Sequence, residues 1–332
     1  MVKMKTKTYI CVALMAAATL TSCEKVSPIG VLVSGTGVED RVKMSELYYR
    51  DYLSELDVAA ADDDYSFLVG ADSHVTDDTG RMDEMFDIAI EHGDGFVAHL
   101  GDIADTKPEY YINLSKSLER AKRKYMEKEY TYDVSTDTYT DEDGNIVDYD
   151  DEKFPFFPVV GNHDITHNGW ALWSNIFHSS FYEFNVYLNS EQTVCDHYIF
   201  LDSASGTLGK HQIELIEQGI LDVGENVKVR HTFVFTHTNI FRPSSVQFAS
   251  TFPREEQYFL LNQFKEWNAT IVFCGHVHKW DDREVGGVRY LTLESMSERN
   301  SPEPGEYLVR VNVKKNGEIG VEKVMMNYKN HN

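Results

Sequence analysis

Short apolar runs of strand type recur along the chain and alternate with segments whose apolar residues follow a helical spacing. Helical spacing is found in segments 39–56, 81–92, 210–218 and 254–267, and a polar helix is expected after Pro108, a residue suited to the first helical position. The strand-type runs in this part of the chain are 65–71, 95–100, 156–160, 193–201, 231–236 and 269–274. The alternation predicts βαβ-like units.

The end of the chain shows a different pattern. Runs 288–294, 307–313 and 319–325 follow one another as consecutive strands, and Lys315-Asn316-Gly317 has the composition of a tight hairpin turn. Units of the βαβ type followed by antiparallel strands favour two sheets packed face to face with helices outside. The predicted fold class is therefore α/β (α+β), a four-layer αββα sandwich with two mixed β-sheets flanked by helices.

The composition shifts near residues 128–153. Residues 131–139 alternate aromatic or β-branched with polar side chains, a polar segment with a glycine follows at 141–145, and apolar residues resume at 146–147. This pattern predicts a solvent-facing hairpin. The carboxylates of 141–145 could recruit calcium, but the complete calcium-loop pattern is missing, so a solvated insertion is favoured. Because we find no repeat and no linker, residues 43–332 are predicted to form one domain.

The first residues have the features of an export signal. Lys3, Lys5 and Lys7 precede an apolar run at 9–20 that is too short to span a bilayer. The run ends in Leu20-Thr21-Ser22-Cys23, which resembles the bacterial lipobox, in which the cysteine is acylated. An ordinary amphipathic helix would not confine its lysines to one end.

We therefore expect a lipoprotein signal peptide at 1–22 and a tether with an entry segment at 23–42. Acylated Cys23 would hold the protein on a membrane of the bacterial cell envelope, at the periplasmic face or the cell surface, without a transmembrane helix.

The net charge of the chain limits the partners that it can bind. The formal net charge is −23, which disfavours non-specific binding of nucleic acid, because Lys and Arg contacts to phosphates dominate that affinity.

Outside the predicted signal peptide and Cys23, the only cysteines in the sequence are Cys195 and Cys274. An oxidising envelope permits them to pair, but a cysteine at the end of an apolar strand is commonly a small hydrophobic residue, so two free thiols are favoured.

Residues with ligand chemistry follow five of the strand-type runs. Strand ends are the places where an α/β sheet exposes functional groups, and sets of nitrogen and oxygen ligands suit divalent transition metals. The five blocks are Asp72-Ser73-His74, Gly101-Asp102, Gly161-Asn162-His163-Asp164, His237 and Gly275-His276-Val277-His278.

A two-metal hydrolytic site needs one bridging carboxylate, further ligands on each ion, and open positions for water and substrate. Asp102 follows a strand and a glycine that allows close approach, so it is the natural bridge. Asp72 and His74 lie two residues apart and are expected to point the same way and grip one ion. The remaining ligands are His276 and His278, one for each ion, and Asn162 with His237 on the second ion.

Charge and proton transfer complete the hypothesis. Two divalent ions bring four positive charges and the two aspartates return two negative ones, so the site would attract a phosphate. A bridging water would lose a proton near neutral pH and attack phosphorus in line. His163 is placed to donate a proton to the leaving oxygen, and Asp164 could orient its imidazole.

Together the five blocks resemble the calcineurin-like metallophosphoesterase superfamily, whose fold is a β-sandwich flanked by helices. The resemblance assigns Asp72, His74, Asp102 and His278 to the first metal, and Asp102, Asn162, His237 and His276 to the second. It also implies that His163 is the proton donor or oxyanion stabiliser. Asp105, three residues after Asp102, would not bind metal itself but would hold these groups in position.

Departures from relatives narrow the branch. Purple acid phosphatases have a tyrosine where Asp105 stands and lack the histidine of the first block, so an Fe(III)–tyrosinate centre is disfavoured and Mn, Fe(II) or Zn is expected. Thr238-Asn239 replaces the histidine or proline pair that many relatives carry after the fourth block. The pattern is similar to class III cyclic-nucleotide phosphodiesterases and to secreted phosphomonoesterases.

The sequence thus predicts a lipid-anchored phosphoric ester hydrolase with two divalent metal ions, acting on small phosphate esters, with phosphomonoesters favoured over cyclic or linear diesters. A protein of another class, a surface binding lipoprotein that keeps the fold without turnover, is the alternative. The intact Gly161-Asn162-His163-Asp164 block argues against it, because a binder needs no proton donor. A nuclease is disfavoured by the net charge.

Overall fold

The computed structural model describes residues 36–54, 64–105, 107–150, 152–241 and 251–328, and for residues 47–54 it describes the backbone alone. The predicted signal peptide at 1–22, the predicted acylation site Cys23 and the predicted tether up to residue 35 lie outside the described residues. None of the helices in the described ranges is long and apolar enough to cross a membrane.

Helices and strands alternate as the sequence predicts. The helices are α1 (Val38–Ser54), α2 (Gly80–His92), α3 (Pro108–Glu129), α4 (Gly169–Phe177), α5 (Gly209–Glu217) and α6 (Arg254–Glu266). The strands up to the insertion and just after it are β1 (Tyr65–Gly70), β2 (Phe96–His99), β3 (Thr131–Asp133), β4 (Thr138–Thr140), β5 (Ile146–Val147) and β6 (Phe156–Pro158). The later strands are β7 (Tyr182–Tyr187), β8 (Val194–Leu201), β9 (Lys228–Thr236), β10 (Ala269–Cys274), β11 (Asp281–Val285), β12 (Val288–Thr292), β13 (Gly305–Val313) and β14 (Ile319–Met326).

Two mixed sheets form the body of the fold. The first has the order β14-β13-β1-β2-β6 and the second the order β11-β12-β10-β9-β8-β7. Strands β1, β2 and β6 are parallel, and β13 joins β1 antiparallel. In the second sheet β8, β9, β10 and β12 are parallel, while β7 and β11 pair antiparallel at the edges. The predicted mixed α/β sandwich is confirmed.

The apolar strands are buried on both faces, which explains why they read as continuous apolar runs. On β1, Phe67 and Val69 face the layer between the two sheets, whereas Leu68 faces α2 and its neighbours. The inter-sheet layer is rich in aromatic rings. Phe67 stacks on Phe96 with ring centroids 4.8 Å apart, and Phe200 stacks on Phe235 at 4.5 Å. Such pairs add stability beyond the area they bury.

The insertion is a three-stranded antiparallel sheet, β3-β4-β5. The turn predicted at 141–145 is present, with the Asp141 carboxylate accepting from the backbone N–H of Asn145 at 2.7 Å. A second turn at 134–137 divides the alternating run 131–139 into two strands, because Asp133 accepts from the N–H of Ser135 at 2.8 Å and bends the chain there.

The last strands separate between the sheets. β12 lies in the second sheet beside β10, whereas β13 and β14 form a hairpin in the first sheet. The hairpin closes where Lys315-Asn316-Gly317 was predicted to turn, with the N–H of Gly317 donating to the carbonyl of Lys314. Among the described residues, Cys195 and Cys274 are buried free thiols, as predicted.

Candidate metal centre

The five blocks meet at one edge of the sandwich. The first three follow the parallel strands β1, β2 and β6 of the first sheet, and the last two follow β9 and β10 of the second. Contacts between the sheets fix this meeting point. His237 after β9 donates from Nδ1 to the carbonyl of Leu100 at 2.7 Å, and the N–H of His276 donates to the Asp72 carboxylate at 3.0 Å.

The paired candidate ligands lie beyond the strand ends, in loops whose backbone is left-handed at these residues. Asp72, His74, Asp102, His276 and His278 all have φ between 45° and 69°. The sequence predicted that Asp72 and His74 share a strand face, but β1 ends at Gly70, and left-handed turns bring the two side chains together instead. Such conformations cost on the order of 1–3 kcal/mol each and concentrate at functional sites.

Two glycines permit the close approach of these loops. Gly101 has φ 85°, and a Cβ there would lie 2.7 Å from the backbone nitrogen of Gly161. A Cβ on Gly161 would collide with the backbone nitrogen of Asp102. The Gly101-Asp102 and Gly161-Asn162 segments therefore touch backbone to backbone, which draws Asp102 into the centre of the site.

The first cluster consists of Asp72, His74, Asp102 and His278, with one ligand atom of each within 4.8 Å of the others. The Nε2 atoms of His74 and His278 are 3.5 Å apart, and Nε2 of His278 lies 3.3 Å from Oδ1 of Asp72. These are the residues that the resemblance assigns to the first metal.

The second cluster consists of Asp102, His237 and His276, and Asn162 adjoins it. Nδ1 of His237 donates to the Leu100 carbonyl, which leaves Nε2 on the side of the cluster. That Nε2 lies 3.0 Å from the Asn162 side-chain oxygen and 3.1 Å from Nδ1 of His276. Two atoms that each bind the same ion at roughly 2 Å lie about as far from each other as these atoms do. The donor set therefore fits a cation.

Burial and imidazole charge act in opposite directions on the two central carboxylates. Burial raises the pKa of Asp72, but the neighbouring His278, His237 and His74 outweigh it and hold that pKa well below its usual value. For Asp102, burial likewise opposes His237, His163 and His74, and the pKa is again lowered. Both groups are therefore ionised and available as ligands at neutral pH.

The predicted pairing of Asp164 with the His163 imidazole is replaced by a different arrangement. The Asp164 carboxylate accepts from the N–H groups of Gly161 and Ile103 at 2.8 and 3.0 Å and from the Tyr111 hydroxyl at 3.2 Å. Burial, with the nearby charge of Asp102, raises the pKa of Asp164 to about 7. Its contacts tie the loop after β6 to the loop after β2.

The carboxylate that faces the His163 ring belongs to Asp105. Its Oδ1 lies 3.5 Å from Nδ1 of His163 and 3.2 Å from Nδ1 of His74. Burial alone would raise the pKa of Asp105, but these two imidazoles lower it. Asp105 therefore sets the orientation of both rings and leaves each Nε2 directed away from it.

Three further residues near the site carry no motif that predicted their position. Lys107 and Arg299 line a cleft of about 750 Å³ that His74, Asp105 and His163 also line. His99, on β2, is fully buried, and among the described residues neither of its ring nitrogens has a hydrogen-bond partner. Burial lowers the pKa of His99 to about 3.

Thr238 and Asn239, which stand where many relatives carry other residues, are buried inside the fold. The Thr238 hydroxyl donates to the carbonyl of Ser203 at 2.7 Å, and the Asn239 amide donates to the Thr292 hydroxyl at 2.6 Å. Both side chains are buried and anchor the loop that carries His237. Their contacts are structural.

The model of the calcineurin-like phosphoesterase family matches residues 65–280, which contain all five blocks. The chain belongs to the calcineurin-like phosphoesterase family. Membership supports a hydrolase of phosphate esters, and the two His/Asp clusters are compatible with a binuclear divalent metal site. No curated protein matches the chain.

Solved structures with a similar fold differ widely in sequence. GAP50, the anchor in the inner membrane complex of Plasmodium, is 12% identical, with a TM-score of 0.47 over 80% of this chain and 90% of its own. A dimetal phosphatase from Danio rerio is 12% identical, with a TM-score of 0.40 over 78% and 98%. A protein of Thermus thermophilus is 10% identical, with a TM-score of 0.42 over 78% and 99%.

Proposed function

We propose that this protein is a di-metal phosphoesterase that hydrolyses small phosphate esters by in-line attack of water on phosphorus. The observation that carries the proposal is the pair of His/Asp clusters that share Asp102. Asp102 is buried between them, and its Oδ2 lies 3.5 Å from Nε2 of His237 and 4.0 Å from Nε2 of His74. Its carboxylate would serve as a ligand to both ions.

A pair of bound divalent ions lowers the pKa of a bound water and stabilises charge on phosphoryl oxygens. Asp72, His74 and His278 would hold one ion with Asp102, and the other ligands would be Asn162, His237 and His276. The two buried aspartates leave the loaded site with a net positive charge, which attracts a phosphate into a strongly acidic protein.

His163 is proposed to donate a proton to the leaving oxygen. Its Nδ1 faces the Asp105 carboxylate at 3.5 Å, which would hold the ring in a fixed orientation. The ring stands edge-on to His74 at 4.6 Å between centroids and lines the cleft, and this position next to a proposed ligand supports the role. General acid catalysis by a positioned histidine contributes about 10²–10⁴-fold.

Phosphomonoesters are proposed as the favoured substrates. The loaded site would carry a net positive charge, which attracts a monoester, with about two negative charges near neutral pH, more than a diester, which carries one. The assay that tests this compares phenyl phosphate with bis(p-nitrophenyl) phosphate in the presence of Mn²⁺, Zn²⁺ or Fe²⁺. Faster hydrolysis of the diester with every metal would reverse the preference.

We also propose that the protein is anchored in the bacterial envelope through acylated Cys23. The support is the order of lysines, apolar run and Leu20-Thr21-Ser22-Cys23 in the sequence. An anchor of this kind would place the metal centre next to the membrane surface, where small phosphate esters in the envelope could reach it.

A further inference from the structure

We infer that the cleft beside the metal ligands binds a second anionic group of the substrate through Arg299 and Lys107. The inference rests on the proposed phosphoesterase function and adds a substrate class to it. That class is phosphate esters whose alcohol part carries a carboxylate or a further phosphate near the ester bond.

Arg299 is not one of the proposed metal ligands, and it is connected to them through Asp105. One guanidinium nitrogen, Nη1, is 3.6 Å from Oδ2 of Asp105, whose other oxygen faces Nδ1 of His74 at 3.2 Å. His74 turns its Nε2 toward His278 in the first cluster. An imidazole ring and a carboxylate therefore separate Arg299 from the ligand atoms, so Arg299 is placed to meet a part of the substrate other than the reacting phosphoryl group.

Lys107 adds a second cation to the lining of the cleft. Its backbone N–H donates to the carbonyl of Asp105 at 2.7 Å, and its side chain is exposed. The ammonium group donates to the Tyr110 hydroxyl at 2.9 Å and lies 4.9 Å from the centre of that ring. Lys107 directly precedes α3, so the positive amino-terminal end of that helix adds to its charge.

The carboxylate of Asp78, which also lines the cleft, is already engaged. It accepts from the N–H of Gly80 at 2.8 Å and from the Tyr328 hydroxyl at 3.0 Å. The other carboxylates that line the cleft are Glu298 and Asp105, and Arg299 lies beside Asp105.

The third cation of the cleft, Arg81, is not available for a ligand. Its guanidinium is buried and donates to the carbonyls of Met296, Ser301 and Glu303. Arg299 and Lys107 are the exposed cations among the described residues that line the cleft. Guanidinium groups form strong paired hydrogen bonds with carboxylate and phosphate, so the second anion is expected to be one of these two groups.

The test compares phenyl phosphate with meta- and para-carboxyphenyl phosphate, which share one reacting group and differ by a carboxylate. The unmodified protein is expected to have a higher kcat/KM for one of the carboxylated esters. Arg299→Gln should reduce that preference by about tenfold, mainly through KM, because a charge-assisted hydrogen bond is lost. Lys107→Gln should reduce it less. Lys124→Gln removes a charge that pairs with Asp87 on the outer side of α3 and should leave the preference unchanged.

A binding measurement supports the kinetic one. The phosphonobenzoate whose carboxylate occupies the preferred position, 3- or 4-phosphonobenzoate, is not hydrolysed and should inhibit more strongly than phenylphosphonate, and Arg299→Gln should remove the difference. If the unmodified protein hydrolyses these esters without preferring a carboxylate, the second-anion site is wrong and the phosphoesterase function stands. A loss in Arg299→Gln that is equal for all esters would place Arg299 on the reacting phosphoryl group and would also overturn the inference. Hydrolysis of none of the esters overturns the proposed function, and this inference falls with it.

Discussion

The Nε2 atom of His237 lies 3.0 Å from the side-chain oxygen of Asn162 and 3.1 Å from Nδ1 of His276. Three ligand atoms this close together are suited to share one cation. This arrangement links the energetics of this edge of the sandwich to metal binding, because metal that binds only the folded state raises its stability.

Loss of the Asn162 oxygen should empty the second cluster while sparing the first. Asn162→Ala is expected to lower bound metal from about two ions per chain to about one. Metal analysis after dialysis measures this, and thermal unfolding with added metal should show a smaller increase in Tm than for the unmodified protein. Asn262→Ala, an exposed position on α6, is the matched control. Two ions retained by Asn162→Ala would remove Asn162 from the ligand set.

Loss of the His163 imidazole should separate chemistry from metal retention. His163→Ala is expected to keep both ions and to lower kcat for a phosphomonoester by about 10²–10⁴-fold, since general acid catalysis is removed. The measurement is kcat with metal content determined on the same sample. If metal content falls together with kcat, His163 acts as a ligand and not as the proton donor.

Asp164 and Asp105 should respond differently to substitution. Asp164→Ala leaves the buried N–H groups of Gly161 and Ile103 without their acceptor, so it should lower the free energy of unfolding by on the order of 3 kcal/mol. Asp105→Ala should mainly lower kcat, because the partly exposed carboxylate orients His163 and His74. Denaturant unfolding and kcat of both variants distinguish the two roles. An Asp164→Ala protein of normal stability with a kcat as low as that of His163→Ala would restore the role predicted from the sequence.

Burial of neutral His99 should make the metal-free protein sensitive to acid. Its pKa is lowered to about 3, against about 6.5 in an unfolded chain. Between these values the unfolded state binds the extra proton, so stability falls as pH falls from about 6.5 toward 3. Between pH 6.5 and 5 this single group accounts for about 2 kcal/mol.

His99→Leu should remove that contribution. Denaturant unfolding in the presence of chelator, at pH 6.5 and at pH 5, should show a smaller loss of stability in the variant than in the unmodified protein. Equal losses in the two proteins would mean that His99 accepts a proton in the folded state.

Membrane attachment should depend on Cys23. In a bacterial host that acylates lipoproteins, the unmodified chain is expected in the membrane fraction and the Cys23→Ser protein in the soluble fraction. Fractionation followed by immunodetection measures the distribution. A Cys23→Ser protein that stays with the membrane would show that attachment does not use an acyl chain.

The sequence predicted the layers of the fold and the meeting of the ligand blocks because each block follows a buried strand. It did not predict the edge strands β7 and β11. β11 is largely exposed and rich in charge, so its strand conformation comes from pairing with β12 and not from its own apolar pattern. Exposed strands that depend on a partner carry little signal of their own.

The partners of Asp164 and the position of Arg299 also escaped prediction. Asp164 binds backbone N–H groups of a loop about 60 residues earlier, and such contacts depend on the approach of glycines 101 and 161. Arg299 lies after β12 outside any ligand block, and only the packing of the two sheets brings it to Asp105. Tertiary contacts of this kind leave no local pattern in the chain.

We propose that two ions held by the clusters around Asp102 make the protein a phosphoesterase. The most direct test is a titration of chelated, purified protein with Mn²⁺, Zn²⁺ or Fe²⁺, in which bound ions and phosphate release from phenyl phosphate are measured on the same samples. We expect phosphate release to appear as occupancy rises from about one to about two ions per chain and to disappear on chelation. Full occupancy without turnover of phenyl phosphate or of bis(p-nitrophenyl) phosphate would contradict the account and favour a binding lipoprotein that keeps the fold.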